Sequence, residues 1–381
     1  MRYLLGGYYG MRNVGDDVLL YVTLAEVSRQ DPAATFTVLS DRTEVVPPGA
    51  SVRITPGGRR FQNLRQLVRH DVWLFGGGGL LQDQSARSQG VLRRLRQVSR
   101  VARLMGRKIA LVGIGVGPLV TAAGREASGR ILETADFVTV RDEESLNIAA
   151  TIAPRCRARL TADLAFLLPR LLPPGPSGVR AVADVNTLGV SLLPFAASLG
   201  RDGRADVEAT ERIAAALNRV LRQHPDWRVK LFQFFAGTTS YDDSTVLELL
   251  ESRLAFPDRV SYRAYDGDFA AIYRELGQCR AFMGMRFHSC LIAHLAGVPC
   301  LTIAYHPKSE SLARRLGLSP EAIVPLPLLE DSQALSARLE ALVAGDAKFR
   351  PAVALHEPTD AAALNFSLLG EWLRDPHGRV A

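Results

Sequence analysis

The chain has 381 residues, 47% of them hydrophobic and 22% charged, and a formal net charge of +7. This composition is typical of a folded globular protein, and the length is sufficient for two domains of ordinary size. The basic residues are mostly scattered arginines. They favour anionic small ligands or a membrane surface over nucleic acid, since no nucleic-acid-binding motif accompanies them.

Cysteine usage and motif patterns narrow the chemistry further. The four cysteines form neither CxxC pairs nor a disulfide framework, which suits a reducing compartment. The sequence contains no HExxH or Cys/His cluster, no dinucleotide fingerprint, no Walker A loop and no GxSxG elbow. We therefore expect neither a metal nor a bound cofactor. Without a signal-peptide region or an unbroken apolar span, the protein is expected in the cytoplasm, with any membrane contact peripheral and at the inner face.

Short apolar segments alternate with longer amphipathic ones, which predicts parallel strands connected by helices. In the first half, strands are predicted at Arg2–Tyr9, Thr35–Leu39, Val52–Thr55, Asp71–Phe75, Lys108–Ile114 and Asp136–Val140. Helices are predicted there at Asp17–Arg29, Gly90–Leu104 and Glu143–Thr151. In the second half, the predicted elements are Leu188–Leu193, Val207–Gln223, Trp227–Phe235, Ser244–Leu254, Arg259–Tyr262, Phe269–Leu276, Arg280–Met285, Val298–Ala304 and a tail helix at Ala361–Arg374.

A proline-rich segment divides this alternation and predicts an interdomain linker. The expected organisation is an N-terminal domain at 1–170, a linker at 171–181, a C-terminal domain at 182–345 and a tail with a helix at 346–381. The fold class is α/β, with two doubly wound, Rossmann-like domains facing a cleft.

The segment from 280 to 310 carries the strongest functional signal. Arg286, His288 and Ser289 open a short helix directly after a predicted strand, and Lys308 follows the next strand. In an open α/β sheet, ligands bind outside the carboxyl ends of the strands, where a helix N-terminus also attracts anions. These residues therefore predict a site for a small anionic group. His294 lies on another face of the same helix and is expected to pack in the core.

Three further segments place unusual residues at predicted strand ends in the first half. They contain Gly10, Asn13 and Asp16 after the first strand, Gly77, Gly78, Gln82 and Asp83 after the fourth, and Arg141 after the sixth. Glycines at such places let the backbone approach a ligand closely, although a tight turn with a helix cap is an equally compatible reading of the first segment.

Taken together, these segments resemble the polysaccharide pyruvyl transferase family of bacterial cell-wall and exopolysaccharide synthesis. The matching pieces, in order, are Gly7–Gly10 with Gly15–Asp16, Gly76–Asp83, Gly113–Pro118, Arg141–Asp142, Thr161–Asp163, Met285–Ser289 and Tyr305–Lys308. The sequence is most similar to enzymes that pyruvylate N-acetylmannosamine in the secondary wall polymers to which S-layer proteins attach. It departs from the family pattern at Asp17, where Glu is expected, and at His306, where Asp is expected.

The resemblance implies a glycosyltransferase-B-like fold and transfer of the pyruvyl unit of phosphoenolpyruvate onto two sugar hydroxyls as a cyclic ketal. Phosphoenolpyruvate is then a co-substrate, and no cofactor is needed. The implied catalytic residues are His288, as general acid/base, and Arg286. The implied donor-binding residues are Arg286, Lys308, Ser289 and Arg141. The implied acceptor-binding residues are Gly10, Asn13, Asp16, Gly77, Gly78, Gln82 and Asp83.

Several alternatives remain open from the sequence. A nucleotide-sugar-dependent glycosyltransferase would share the architecture and the cationic pocket, and a non-catalytic glycan-binding protein would share the fold. The acceptor sugar, its linkage positions, a lipid-linked acceptor and an oligomeric state are also open.

Overall fold

The computed structural model describes residues 1–40, 45–56, 66–172, 186–196, 199, 201–237 and 242–375, and for Ala86 and Arg87 the backbone alone. Most of the predicted linker, from residue 173 onward, lies outside the described residues. Seven of the described strands lie in the first half. They are β1 (Arg2–Gly6), β2 (Thr35–Leu39), β3 (Ser51–Thr55), β4 (Val72–Gly76), β5 (Lys108–Ile114), β6 (Phe137–Val140) and β7 (Arg159–Leu160). The described helices here are α1 (Val14–Gln30), α2 (Ala86–Leu104), α3 (Ala122–Thr134), α4 (Glu143–Ile152) and α5 (Leu168–Leu171).

The second half repeats the alternation. Its described strands are β8 (Asn186–Ser191), β9 (Trp227–Phe232), β10 (Val260–Arg263), β11 (Ala281–Gly284), β12 (Cys300–Ala304) and β13 (Ile323–Pro325). Its described helices are α6 (Arg204–Gln223), α7 (Ser244–Arg253), α8 (Phe269–Gly277), α9 (Phe287–Leu295), α10 (Pro307–Leu316), α11 (Ser332–Val343) and α12 (His356–Arg374). Short 3₁₀ turns occur at Leu164–Leu167, Pro257–Arg259, Pro320–Ala322, Leu326–Glu330 and Ala347–Phe349.

Each compact unit contains one parallel sheet. The first unit comprises Met1–Met11, Asp16–Leu171 and Pro358–Ala381, and its strand order is β3-β2-β1-β4-β5-β6-β7. The second comprises Arg12–Gly15 and Leu172–Glu357, with the order β10-β9-β8-β11-β12-β13. The strand order reverses next to β1 in one sheet and next to β8 in the other. Such a switch point is where doubly wound sheets bind their ligands.

The central strands are buried on both faces, as expected for parallel sheets covered by helices. Every residue of β4, β11 and β12 is buried, and the apolar residues between sheet and helices form a continuous core in each unit. The predicted fold class, two doubly wound α/β units with parallel sheets, is confirmed.

The unit division differs from the simple order of the chain in two places. Residues 12–15 belong to the second unit, and the tail helix α12 belongs to the first. The sequence alternation also missed α3, α10, α11, β7 and β13, which the structure contains. The predicted first strand ends earlier than expected, at Gly6, and the predicted strand at Trp227–Phe235 ends at Phe232.

Candidate active site

The turn from β11 into α9 presents the predicted anion-binding residues of the second unit. Arg286 occupies the N-cap position of α9, in extended conformation, and its side chain makes no capping hydrogen bond. The Ser289 hydroxyl donates to the Arg286 carbonyl oxygen at 2.9 Å, which tightens the first turn. The N-terminus of a helix at a strand end carries a partial positive charge, which favours an anion.

A buried carboxylate holds the Arg286 guanidinium. Arg286 Nε lies 2.9 Å from both carboxylate oxygens of Asp243, and Arg286 Nη2 donates to Oδ1 as well. The Asp243 side chain is fully buried, whereas that of Arg286 is 18% exposed. Burial raises the pKa of Asp243, and the arginine opposes that shift by favouring the carboxylate. The guanidinium is thus fixed on one edge by Asp243, and it lies 5.3 Å from the centre of the Phe235 ring.

Backbone N–H groups complete the environment of Asp243. Phe234 N–H and Phe235 N–H donate to Asp243 Oδ2 at 3.0 and 2.9 Å. These two groups therefore turn away from the sheet, which explains why β9 ends at Phe232 and not at Phe235. The sequence prediction missed Asp243, because this residue lies just before α7 and belongs to no recognisable motif.

The residues that follow β9 pair with a segment near the start of the sequence. Val14 N–H donates to the Phe234 carbonyl oxygen, and Ala236 N–H donates to the Arg12 carbonyl oxygen, each at 2.9 Å. Asn13 and Phe235 form the antiparallel bridge between these bonds. Asn13, predicted as an acceptor-binding residue of the first domain, lies in the second unit with Arg286. Its side-chain oxygen accepts from Gly15 N–H at 3.0 Å and so caps α1.

Gly15 makes room for the imidazole of His288. A Cβ atom at Gly15 would lie 2.1 Å from His288 Nδ1 and 2.5 Å from its Cγ. The ring also packs edge-on against Phe287, with 5.0 Å between ring centres. His288 is therefore positioned by the bare backbone of Gly15, a contact that the sequence analysis did not foresee.

The next strand end carries Tyr305, His306 and Lys308. Because β11 and β12 are parallel neighbours, this turn and the Arg286 turn share one edge of the sheet. His306 is the N-cap of α10, and its Nδ1 accepts from Lys308 N–H at 3.2 Å. Burial raises the pKa of Tyr305, and the nearby positive charge of Arg286 partly opposes this rise. The histidine that departs from the family pattern thus fills a capping position, where an aspartate would also serve.

In the first unit, Arg141 repeats the pairing of an arginine with a buried aspartate. Its side chain is 4% exposed, and Nη1 lies 2.9 Å from Asp163 Oδ2. Nε lies 3.3 Å from Asp142 Oδ2, and Asp142 also caps α4. A Cβ atom at Gly115 would come within 3.0 Å of the guanidinium, so this glycine lets Arg141 lie flat against the backbone.

The glycine loop after β4 adopts conformations that favour glycine. Gly77 and Gly78 have φ values of 71° and 83°, and Gly10 has a φ of 71°. A Cβ atom at Gly78 would lie 3.7 Å from Asp16 Oδ1, so the carboxylate of Asp16 borders this loop. The Tyr9 hydroxyl donates to the Gly76 carbonyl oxygen at 3.0 Å and connects the two predicted acceptor segments.

Asp83, another predicted acceptor residue, accepts hydrogen bonds from the residues that precede α3. It is fully buried, and it accepts from Thr121 N–H at 2.8 Å, from the Thr121 hydroxyl and from Val120 N–H. Burial alone would raise its pKa, but these hydrogen bonds hold the pKa of Asp83 below its usual value. Asp83 thereby stabilises the start of α3, and the neighbouring Gln82 is half-buried. Acceptor contacts by Gln82 and Asp83 remain predictions.

His294, on the same helix as His288, is buried, and neither of its ring nitrogens is hydrogen-bonded within the described residues. In the same part of the chain, no group of three or more His, Cys, Asp or Glu side chains is arranged to hold a metal. No described helix has both the length and the apolar character needed to cross a bilayer.

The fold first defines the class of protein. The UDP-GlcNAc 2-epimerase of Methanocaldococcus jannaschii has a TM-score of 0.63 at 10% identity, over 97% of this chain and 99% of that chain. The Neisseria meningitidis UDP-GlcNAc 2-epimerase bound to UDP-GlcNAc has a TM-score of 0.62 at 9% identity, over 97% and 100%. Anabaena Alr3699/HepE in complex with UDP and glucose scores 0.54 at 11% identity, over 97% and 94%. At these identities the similarity establishes the fold alone, which is glycosyltransferase-B-like.

The family model for polysaccharide pyruvyl transferase matches residues 13–307. The chain belongs to this family, as its strand-end motifs predicted. The matched region begins at Asn13 and ends at Pro307, so it includes Arg141, Arg286 and His288 together with Asp163 and Asp243, the aspartates that hold the two arginines.

Proposed function

We propose that this protein transfers the pyruvyl unit of phosphoenolpyruvate onto two hydroxyls of a cell-wall or exopolysaccharide sugar, as a cyclic ketal, and releases phosphate. N-acetylmannosamine is the proposed sugar, either free or lipid-linked. The proposed location is the cytoplasm, at the inner face of the membrane. Membership in the family supports the pyruvyl transfer, and Arg286, held by Asp243 at the uncapped start of α9, is the observation that carries the choice of an anionic donor.

Phosphoenolpyruvate carries a phosphate and a carboxylate on the same carbon atom, C2. Asp243 engages Arg286 through Nε and Nη2, so one edge of the guanidinium is fixed before any ligand arrives. Such fixation reduces the entropy lost when a planar anion pairs with the arginine. Lys308, in the first turn of α10 at the same sheet edge, provides a compact positive charge suited to a phosphate.

The reaction requires proton movements that suit His288. A proton is added to the methylene carbon of phosphoenolpyruvate, which makes C2 electrophilic. One hydroxyl attacks C2 and loses its proton, and a second hydroxyl then replaces the departing phosphate. The two hydroxyl protons balance the proton on the new methyl group and the proton on hydrogen phosphate. Imidazole is the side chain best suited to give and take protons near neutral pH, and Gly15 fixes its ring.

The deciding experiment measures phosphate release from phosphoenolpyruvate with a panel of saccharide acceptors, and detects the ketal product by mass spectrometry. We expect release that depends on an acceptor and requires no sugar nucleotide. Turnover only with a sugar nucleotide would indicate a glycosyltransferase, and acceptor binding without phosphate release would indicate a glycan-binding protein. Either result would contradict the proposal.

The assignment of His288 is tested in the same assay. His288→Ala should lower turnover by roughly 10²–10⁴-fold, the usual contribution of a general acid/base. Binding of phosphoenolpyruvate should remain, whereas Arg286→Ala should abolish it. His356→Ala, at an exposed histidine at the start of α12, is the matched control. Unchanged turnover in His288→Ala would remove this residue from the catalytic role.

A further inference from the structure

Helix α2 carries a concentrated positive charge and contains none of the residues assigned to the proposed reaction. Its sequence from Ala86 to Leu104 contains six arginines and no acidic residue. Two of these arginines are neutralised by neighbours, because Arg96 pairs with Glu126 at 3.1 Å and Arg103 pairs with Asp136. Three others, Arg93, Arg94 and Arg100, are exposed and make no ion pair within the described part of the chain.

The arrangement of these residues on the helix is amphipathic. Leu92, Leu95, Ser99 and Ala102 are buried and face the first unit's core. Positions 93, 97, 100 and 104 follow the i, i+4, i+7, i+11 spacing of the opposite stripe. This stripe ends in Leu104, which is 79% exposed, and is followed by Met105, which is 37% exposed. An apolar end of the helix near exposed arginines therefore faces solvent.

We infer that the exposed face of α2, formed by Arg93, Arg94, Arg100, Leu104 and Met105, binds the surface of an anionic lipid bilayer. Arginines attract anionic headgroups, while aliphatic side chains at the same level enter the boundary with the acyl chains. Nucleic acid fits this face less well, because α2 contains no aromatic residue on which a base could stack. The inference does not depend on the transferase activity.

The test is cosedimentation of the full chain with vesicles of equal parts phosphatidylglycerol and phosphatidylcholine, compared with vesicles of phosphatidylcholine alone. We expect binding to the anionic vesicles only, weakening as salt is raised. The triple variant R93Q/R94Q/R100Q should bind about 100-fold more weakly, at roughly fivefold per arginine near the surface. Leu104→Ser should weaken vesicle binding by a smaller factor, and this factor should be the same at low and high salt.

A matched control removes the same charge elsewhere. Arg219, Arg222 and Arg314 are exposed residues of the second unit, and R219Q/R222Q/R314Q should bind as the wild type does. Phosphate release with a water-soluble acceptor should be equal in both triple variants, which separates this test from that of the proposed function. Equal losses of vesicle binding in both variants, or an unaffected α2 variant, would overturn the inference. Binding of single-stranded RNA through the same arginines, without vesicle binding, would overturn it as well.

Discussion

Arg141 and Arg286 each follow a strand and are each held by an aspartate that is almost completely buried. Removing one partner of such a pair leaves the other charge buried and uncompensated, so the aspartates matter as much as the arginines. Both arginines are recognisable from the sequence, because strand ends are ligand sites in this fold class. Asp243 is not, because its role depends on a contact between distant segments.

The contact between Asp243 and Arg286 predicts a binding defect. In Asp243→Asn the amide offers one acceptor oxygen where the carboxylate offered two, and the guanidinium loses its fixed orientation. We expect KM for phosphoenolpyruvate to rise by about tenfold or more, the usual effect of losing a hydrogen bond between charged groups, while KM for the acceptor stays constant. Steady-state kinetics with each substrate varied provides the measurement. Asp258→Asn, at an exposed site, is the control, and an equal rise in both KM values would contradict a role for Asp243 in positioning Arg286.

The contact between Gly15 and His288 predicts a catalytic defect. A methyl group at Gly15 would overlap the imidazole at its Nδ1 and Cγ atoms, so the ring must move. We expect Gly15→Ala to lower kcat about tenfold or more, because small displacements of a proton-transfer group are costly. In a His288→Ala background the same substitution should have little further effect. Gly203→Ala adds its methyl group in open space and should leave kcat unchanged; additive effects of Gly15→Ala and His288→Ala would argue against the contact.

His294 predicts a pH dependence of stability. Burial lowers its pKa from 6.5 to about 4, so the folded protein favours the neutral ring. The stability that this group supports is complete above pH 6.5 and is lost as pH falls toward about 4. The loss is about 3 kcal/mol for a shift of this size. Urea unfolding at several pH values should show that His294→Leu lacks this part of the acid destabilisation, and parallel curves for both proteins would contradict it.

At the scale of elements, the helices of the second unit begin in different ways. Helix α9 starts at Arg286 without a side-chain cap, whereas α10 starts at His306, which accepts a hydrogen bond from Lys308 N–H. The uncapped helix carries the proposed anion site, and the capped one presents Lys308 beside it. The sequence showed only that a histidine replaces the aspartate of the family pattern, and the helix that makes this a capping position was not predicted.

The cap at His306 predicts a difference between two substitutions. His306→Ala removes the acceptor and should lower the free energy of unfolding by about 1 kcal/mol. His306→Asp restores a side-chain acceptor and adds a negative charge at a helix N-terminus, so stability should equal or exceed that of the wild type. Urea denaturation measures both. If His306→Asp were as destabilising as His306→Ala, the residue would have a role other than capping.

At the scale of the whole molecule, a helix late in the sequence packs in the unit formed mainly by the first half of the chain. Helix α12 is the last described element and packs in the first unit. Its Asn365 side chain is fully buried and accepts from Thr139 and Thr161, at 2.6 and 2.8 Å. Its amide donates to the Ala162 carbonyl oxygen at 3.0 Å. These bonds attach the end of the chain to β6 and to the residues just after β7.

These hydrogen bonds predict a large effect on stability when the buried Asn365 is replaced. Asn365→Ala leaves the buried Thr139 hydroxyl without its acceptor and removes one acceptor of the Thr161 hydroxyl, which also donates to the Val140 carbonyl oxygen, so the free energy of unfolding should fall by about 1–3 kcal/mol. Leu364→Ala, at the neighbouring exposed position, should change it by less than about 0.5 kcal/mol. Thermal unfolding followed by circular dichroism provides the comparison. Similar values for the two variants would show that α12 is not attached through Asn365.

The sequence by itself determined the fold class, the family and the strand-end loops, because these depend on local patterns. Apolar alternation identifies strands such as Lys108–Ile114, whose predicted bounds match those of β5. The amphipathic pattern located α6 and α8 within a few residues. Strand-end position alone was enough to select Arg286 and His288 as candidates.

Only the tertiary structure decided what holds those candidates in place. The pairing of Arg12–Val14 with Phe234–Ala236 joins segments more than 200 residues apart, and no local pattern records it. The same is true of Asp243 beneath Arg286, of Gly15 against His288 and of α12 in the first unit. The local sequence determines the apolar periodicity of each element and the residue types at each strand end. Contacts between distant segments depend on the packing of the complete chain, which is why they emerged only from the structure.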